Sequence, residues 1–144
     1  MKLIGSCHCS NLSYALLWPD SVPTIPARVD GCIFCTAHNA AWTSNREAEL
    51  IATIRTPSLV NRYRFGTKTA DFYVCTQCGV VPWVTSEIEG QLYAVVNVNT
   101  FTNVDRASLP RSSGNFDGEA VGDRLSRRAQ NWIPNVTIGS SASD

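Results

Sequence analysis

The sequence predicts a single, mainly β domain with little helix. Three observations lead to this fold class: a length of 144 residues, a series of short apolar segments divided by turn residues, and six cysteines in three close pairs. That length is common for one domain and is sufficient for a hydrophobic core. Many short strands at close spacing indicate a sandwich-like or barrel-like arrangement. We therefore expect one domain over positions 1–139 and a disordered tail at 140–144.

The predicted strands are short segments rich in β-branched and aromatic residues. Turn residues divide them, with Gly66, Gly79 and Gly90 between segments and Pro57 breaking one apolar stretch into two. The six predicted strands are Leu12–Trp18, Leu50–Ile54, Leu59–Phe65, Thr69–Val74, Val80–Thr85 and Gln91–Val98.

Two stretches depart from the strand pattern. Pro19–Arg28 contains three prolines, which favour a loop. The chain after Asn99 is rich in Gly, Ser, Asn and Asp, so we expect irregular structure there, apart from a short helix over Glu119–Arg128. The basic cluster Arg124–Arg128 is flanked by acidic residues and is therefore predicted to be a solvated surface.

Composition excludes two function classes. Twelve basic and twelve acidic residues cancel, and no basic stripe is visible, so we expect no nucleic-acid binding. No run of 18 apolar residues exists, so we expect no membrane association. The chain reaches Cys7 without a long apolar segment, which argues against a secretory signal peptide. We expect a cytoplasmic, reducing compartment, where cysteines serve metals or catalysis more often than disulfides.

The first and last cysteine pairs have the spacing of metal ligands. Cys75 and Cys78 form a Cys-x-x-Cys turn, and Gly79 can take the positive φ that such a turn needs. Cys7 and Cys9 point to the same side of an extended chain, where a disulfide between them would be strained. One zinc ion bound by all four thiolates would satisfy them and close a long loop. The even cysteine count leaves a disulfide framework as the alternative.

The middle pair, Cys32 and Cys35, needs a third ligand to form a zinc site. Asp30 and His38 are both close enough in sequence to supply it. Three protein ligands with one open position are typical of catalytic zinc. The alternatives are an inert reduced dithiol and a redox pair. A redox Cys-x-x-Cys usually opens a helix within a βαβ unit, which the sequence around this pair does not predict.

The order of these motifs resembles the family of glutathione-dependent formaldehyde-activating enzymes, which also contains centromere protein V. The resemblance spans nearly the whole chain and implies a Mss4-like β-tent of small antiparallel sheets around a structural zinc. It is carried by Gly5–Cys9, Cys32–Cys35, Cys75–Gly79, Phe116–Glu119, Arg124-Leu125, Arg127-Arg128 and Asn131-Trp132.

The resemblance also implies two zinc sites. The structural site corresponds to Cys7, Cys9, Cys75 and Cys78. The catalytic site corresponds to Cys32 and Cys35, with Asp30 where the family has the first cysteine of Cys-x-Cys-x-x-Cys. A carboxylate in that place makes the site harder and the ion more Lewis-acidic.

In the family reaction the thiol of glutathione adds to formaldehyde, and the reverse breaks a carbon–sulfur bond. The resemblance thus implies a zinc-dependent carbon–sulfur lyase-like enzyme acting on a thiol adduct, such as that of glutathione, with a small aldehyde or related electrophile. Cys32 and Cys35 would be metal ligands, and Asp30 or His38 would complete the site or move a proton. A non-catalytic zinc module that binds a small thiol or a protein partner is the alternative, because Asp30 replaces a cysteine.

A glutathione site also needs cationic anchors and an apolar wall. Trp42 and Trp83 are candidates for the wall, or else for the core. The candidate anchors, each of which is otherwise an ordinary surface charge, are Arg28, Arg62, Arg64 and Lys68.

Overall fold

The computed structural model describes residues 1–140, which form two β-sheets and two α-helices. The mainly β prediction is confirmed. The helices are α1 (Ile33–Ala37) and α2 (Val121–Asn131). Neither of these two helices is long and apolar enough to cross a lipid bilayer. The strands are β1 (Lys2–Ser6), β2 (Leu12–Leu17), β3 (Ala27–Asp30), β4 (Ala41–Thr43), β5 (Glu49–Ile54), β6 (Val60–Tyr63), β7 (Asp71–Cys75), β8 (Trp83–Ile88), β9 (Gln91–Asn97), β10 (Arg111–Gly114) and β11 (Asn135–Ser140).

The strands are divided between a smaller and a larger sheet. The smaller has four strands in the order β1-β2-β5-β11, and the larger has seven in the order β10-β3-β4-β9-β8-β7-β6. Most neighbours are antiparallel, but β11 runs parallel to β5, and β10 runs parallel to β3. The expectation of antiparallel sheets therefore holds for most strand pairs and is wrong for these two. Both late strands reach their partners over long connections, so no tight hairpin forces the antiparallel direction.

Several elements lie where irregular chain was expected. Strand β3 takes up Ala27 and Arg28 from the predicted proline-rich loop, and β10 and β11 lie in the predicted irregular tail. All four residues of β10 are exposed, so its sequence carries no burial pattern, and it forms by backbone pairing at the edge of the larger sheet. Ser140, expected in the disordered tail, is the last residue of β11, and positions 141–144 of that tail lie outside the described residues.

The core follows from strand alternation. In β2, Leu12, Tyr14 and Leu16 are buried while the residues between them are partly exposed. Burying each such leucine contributes about 2 kcal/mol. The Tyr14 hydroxyl lies 2.8 Å from Thr100 Oγ1. It passes so close to Gly5 that a Cβ there would be 2.2 Å from the Tyr14 oxygen, so this crossing requires glycine.

A second, smaller cluster of buried side chains lies beside the larger sheet. It contains Cys35, Trp42, Val84, Val95 and Trp132. Trp132 follows the end of α2, so the cluster packs this helix end against β4, β8 and β9. This cluster forms the base of the candidate site.

Candidate functional site

The structure brings four cysteines from the two ends of the chain into one group. The sulfurs of Cys7, Cys9, Cys75 and Cys78 all lie within 4.8 Å of one another. Cys9 Sγ is 3.7 Å from Cys7 Sγ and 3.5 Å from Cys75 Sγ. Four thiolates at about 2.3 Å from a tetrahedral zinc ion are separated by about 3.8 Å, whereas a disulfide needs about 2.0 Å. All six cysteines are free thiols, so this group has the geometry of a metal site.

Backbone hydrogen bonds shape the two turns that carry these sulfurs. The Leu12 N–H donates to Cys7 Sγ at 3.3 Å. The Gly79 N–H donates to the Cys75 carbonyl at 2.7 Å, with Gly79 in the left-handed region at φ +82°. Cys7 and Cys9 lie between β1 and β2, and Cys75 ends β7. The four-sulfur group therefore links the smaller sheet to the larger one.

The four sulfurs lie so close together that ionising all of their thiols would place four negative charges side by side. Burial, together with the neighbouring thiols, raises the pKa of Cys7 to about 12. Burial opposes ionisation of Cys78 too, but hydrogen bonds from the backbone N–H of Val80 and Cys9, and from the neighbouring thiols, lower its pKa to about 6. One thiolate is thus favoured and its neighbour is held neutral. Ionising all four requires a cation among them.

A second group forms where β3 meets α1. One ligand atom each of Asp30, Cys32 and Cys35 lies within 4.8 Å of the other two. Asp30 ends β3, and its Oδ1 accepts a hydrogen bond of 2.8 Å from the Cys32 N–H. Cys32 caps α1, and its sulfur accepts a hydrogen bond of 3.2 Å from the Cys35 N–H. Three donors of this kind leave one position of a tetrahedral metal open.

Of the two candidate third ligands, Asp30 lies in this group and His38 does not. The His38 ring packs against Phe34 instead, with 4.7 Å between ring centroids. Burial, followed by the Cys32 thiol, raises the pKa of Cys35 above its ordinary value. An isolated Cys35 therefore stays protonated, and a cation is needed to turn it into a thiolate ligand.

The middle pair does open a helix, contrary to the sequence-based expectation. Cys32 is the N-cap residue of α1, a place usually taken by Ser, Thr, Asp or Asn, so the start of this helix was missed. The flanking strands β3 and β4 pair antiparallel. The unit is therefore not the βαβ arrangement associated with redox Cys-x-x-Cys motifs.

Two adjoining cavities open beside this second group. The first has a volume of about 180 Å³ and the second about 310 Å³. Cys32 lines the second cavity. Trp42 lines the first, whereas Trp83 is fully buried in the main core, so only the former is available to a ligand. The side chains that line both cavities are Asp30, Ala70, Phe72, Phe116, Arg124 and Arg128.

The cations at this site differ from those expected. Arg28 lines the first cavity, but Arg62, Arg64 and Lys68 are exposed; Arg62 lies on the edge strand β6 and Arg64 directly follows its end. Arg62 lies over the Tyr73 ring. Arg64 pairs with Asp71. These positions fit the surface-charge interpretation of the two arginines and the lysine.

The prediction that the basic cluster Arg124–Arg128 forms a solvated surface is wrong in part. Arg124, Arg127 and Arg128 all line the first cavity, and Arg128 is only 6% exposed. Arg124, Arg128 and Trp132 are spaced four residues apart, which places them on one side of the helix. That spacing was visible in the sequence. It was missed because arginines at inward positions look like surface charge.

Comparisons with known proteins extend the description of the fold. No family model matches the sequence, and no curated protein matches it. A crystal structure of a Rhodobacter sphaeroides protein, solved as a target of Northeast Structural Genomics, is similar with a TM-score of 0.52. It is 24% identical and is matched over 100% of its length and 78% of this chain. At that identity the likeness is one of fold.

Proposed function

We propose that this protein is a zinc-dependent carbon–sulfur lyase-like enzyme, which makes or breaks a thiol adduct of a small aldehyde or related electrophile in the cytoplasm. One observation carries the proposal: Asp30 and Cys32, members of the three-ligand group, line a cavity large enough for a small molecule. The four-sulfur group supplies a complete tetrahedral ligand set, so it suits a structural ion. The three-ligand group suits an ion that contacts substrate.

The residues of the second group have separable roles. Cys32 and Cys35 would hold the ion through sulfur, and Asp30 would hold it through the carboxylate oxygen not engaged by the Cys32 N–H. A zinc ion bound there supplies Lewis-acid polarisation of a carbonyl or stabilisation of a thiolate. Trp42, Phe72 and Phe116 line the first cavity and would limit the access of bulk water to a ligand bound there.

The reaction is an addition without electron transfer. In the forward direction a carbon–sulfur bond forms between the thiol and the carbonyl carbon, and the thiol proton ends on the carbonyl oxygen. In the reverse direction that bond breaks and the proton returns to sulfur. The Asp30 oxygen that does not bind the ion, Oδ1, would accept and return the proton through the lone pair that the Cys32 N–H leaves unused.

Elemental analysis and exchange NMR test this proposal together. Protein purified without added metal or chelator should contain two zinc ions per chain. With glutathione and ¹³C-formaldehyde, it should accelerate exchange between free aldehyde and adduct, and Asp30→Ala should lose both one zinc ion and the acceleration. Asp20→Ala is the matched control, because that carboxylate is exposed and pairs with the N-terminal amine. Two zinc ions without any acceleration would refute the enzyme.

The non-catalytic module remains the second candidate, since a carboxylate replaces a thiolate at Asp30. It predicts one zinc ion per chain, no acceleration of exchange, and rapid alkylation of the exposed thiol of the second group. Cys35 is 2% exposed and Cys32 is half-buried, so Cys32 should react first. Alkylation followed by peptide mass spectrometry distinguishes this outcome from a two-zinc enzyme.

A further inference from the structure

Four guanidinium groups face the first cavity with few negative charges to balance them. They belong to Arg28, Arg124, Arg127 and Arg128. The ion pairs found within residues 1–140 join two of them, Arg124 and Arg127, to the same carboxylate, that of Glu119. None joins a carboxylate to Arg28 or Arg128 within 4.0 Å. The arginines that line this cavity therefore outnumber the carboxylates that form ion pairs with them.

Arg128 is the most buried of the four. Its Nη1 donates to Thr69 Oγ1 at 2.9 Å and to Ser86 Oγ at 3.1 Å, and its guanidinium lies 4.9 Å from the centre of the Trp132 ring. Its Nε–H is buried and has no hydrogen-bond partner in the described chain. Arg128 is only 6% exposed, and its Nε–H donor is nevertheless unused. Such a group is costly unless a ligand supplies the acceptor.

Arg124 and Arg28 extend this donor surface. The Arg124 Nε is also buried without a hydrogen-bond partner, at 4.0 Å from Glu119 Oε1, while its Nη2 donates to the Phe116 carbonyl. Arg28 Nη2 donates to Ser44 Oγ at 2.6 Å, a neutral partner. Burial, followed by the charge of Arg127, lowers the pKa of Arg28. Burial and the charges of the neighbouring arginines also lower the pKa of Arg128, to about 10.

The rest of the cavity wall is apolar. The apolar side chains that line it are Trp42, Phe72, Val84, Val95 and Trp132, the last of which contacts the Arg128 guanidinium. Its volume of about 180 Å³ is close to that of the cavity of about 150 Å³ that holds one benzene molecule in a protein core. A group the size of one aromatic ring fits this space, whereas a tripeptide does not. The cations therefore suit a small ligand with an anionic end and an apolar body, and do not suit the whole of glutathione.

We propose that this cavity binds a small carboxylate with an apolar body, held by the guanidinium groups of Arg128 and Arg124 and completed by Arg28. A carboxylate fits because its two oxygens match the parallel N–H donors of a guanidinium edge. Asp30 lines both cavities and belongs to the second cysteine group, so the other end of such a ligand would lie beside that group. This identifies the electrophile of the proposed function, on which this step rests, as a small oxo acid.

The chemistry stays an addition. The thiol sulfur forms a bond to the oxo carbon of the acid, and the thiol proton moves to the former oxo oxygen. The carboxylate is not consumed, because it serves only as the anchor. Breaking the carbon–sulfur bond returns thiol and oxo acid, with no oxidant or reductant involved.

Calorimetric titration of the zinc-loaded protein with three probes tests the site. Benzoate carries the carboxylate and the apolar ring, benzamide has the same shape without the charge, and inorganic phosphate has charge without the ring. We expect benzoate to bind at least about tenfold more tightly than either of the others. Equal affinity for benzoate and benzamide, or tighter binding of phosphate, would overturn the proposal.

Variants identify the anchor. Arg128→Gln should weaken benzoate binding at least about tenfold and leave benzamide unchanged. Arg28→Gln should weaken it in the same direction, and this half-buried residue keeps the test valid if Arg128→Gln fails to fold. Arg55→Gln is the matched control, since Arg55 is exposed beyond the end of β5 in the smaller sheet. Unchanged benzoate affinity in Arg28→Gln and in a folded Arg128→Gln would refute the assignment.

The two proposals fail separately. Benzoate binding without acceleration of exchange for either formaldehyde or phenylglyoxylate leaves the carboxylate site standing and removes the lyase. Acceleration of exchange without benzoate binding leaves the lyase standing and removes the oxo acid as its substrate. Replacing formaldehyde by phenylglyoxylate in the exchange experiment connects them, because that oxo acid should exchange with its thiol adduct faster in the presence of the protein.

Discussion

The four-sulfur group and the Asp30 group contain similar ligands, but they differ in what they connect. Cys9 and Cys75 are 66 positions apart; Cys9 lies in the turn between two strands of the smaller sheet, and Cys75 ends β7 of the larger one. Asp30, Cys32 and Cys35 lie within one strand end and the first turn of α1. An ion in the first group closes a long loop, and an ion in the second closes almost none. The entropy of closure alone differs between them by about 2 kcal/mol.

They also differ in what surrounds them. The first group fills a tetrahedron with protein sulfur, and the second leaves one position for another ligand. Buried Arg128, three partly buried arginines and several aromatic rings lie around the cavities beside the second group. Connectivity and surroundings thus distinguish two groups with nearly the same ligand chemistry, which under the proposed function serve stability and reaction. Each prediction below tests one side of that division.

The largest expected difference is in stability. Cys75→Ser should lower the free energy of unfolding by at least about 4 kcal/mol, because it removes the ion that joins the two sheets. Cys35→Ser should cost about 2 kcal/mol or less, because it frees only a local turn. Urea unfolding, followed by tryptophan fluorescence with zinc content measured on the same samples, checks both. Equal losses for the two variants would mean that connectivity does not set the stabilising role.

The sequence predicted those parts of this contrast that depend on residues close together along the chain. The Cys-x-x-Cys and Cys-x-Cys spacings are short, and the structure brings together the four sulfurs that they indicated. Asp30 was recognisable by its position two residues before Cys32. Alternating segments such as β2 and β5 were found because burial on one face leaves a period-two pattern.

The surroundings of the second group were not readable in the same way. The edge strand β10 has no buried residue, so its pairing with β3 depends on backbone contacts that no pattern encodes. Arg128 was taken for a surface cation, because burial of arginine depends on partners such as Thr69 and Ser86, which are 59 and 42 positions away. Tertiary contacts of this kind override the usual tendency of arginine to be exposed.

The next difference concerns how tightly each group holds its ion. Under competition with a chromogenic zinc chelator, the protein should release its ions in two phases, with the Asp30 group at least about 100-fold weaker than the four-sulfur group. Asp30→Ala should remove the weaker phase, and Asp30→Cys should bring it closer to the stronger one, because thiolate is the softer ligand. A single phase in the unaltered protein would contradict the division into closed and open sites. So would an unchanged weaker phase in both variants.

The smallest expected effect compares one glycine beside each group. Gly79 follows Cys78 at φ +82°, and a Cβ there would meet no atom within 4 Å, so its requirement is conformational. Gly79→Ala should therefore cost about 1 kcal/mol of unfolding free energy and weaken the tighter zinc phase. Gly31, between Asp30 and Cys32, is not among the positive-φ glycines, and an added Cβ would lie 3.3 Å from the end of the Asn115 side chain.

Gly31→Ala should consequently change unfolding by no more than about 0.5 kcal/mol, because a flexible amide can move aside. The pair is measured by urea unfolding and by the same chelator competition. If Gly31→Ala proves the more damaging substitution, the turn at the Asp30 group is the more constrained of the two.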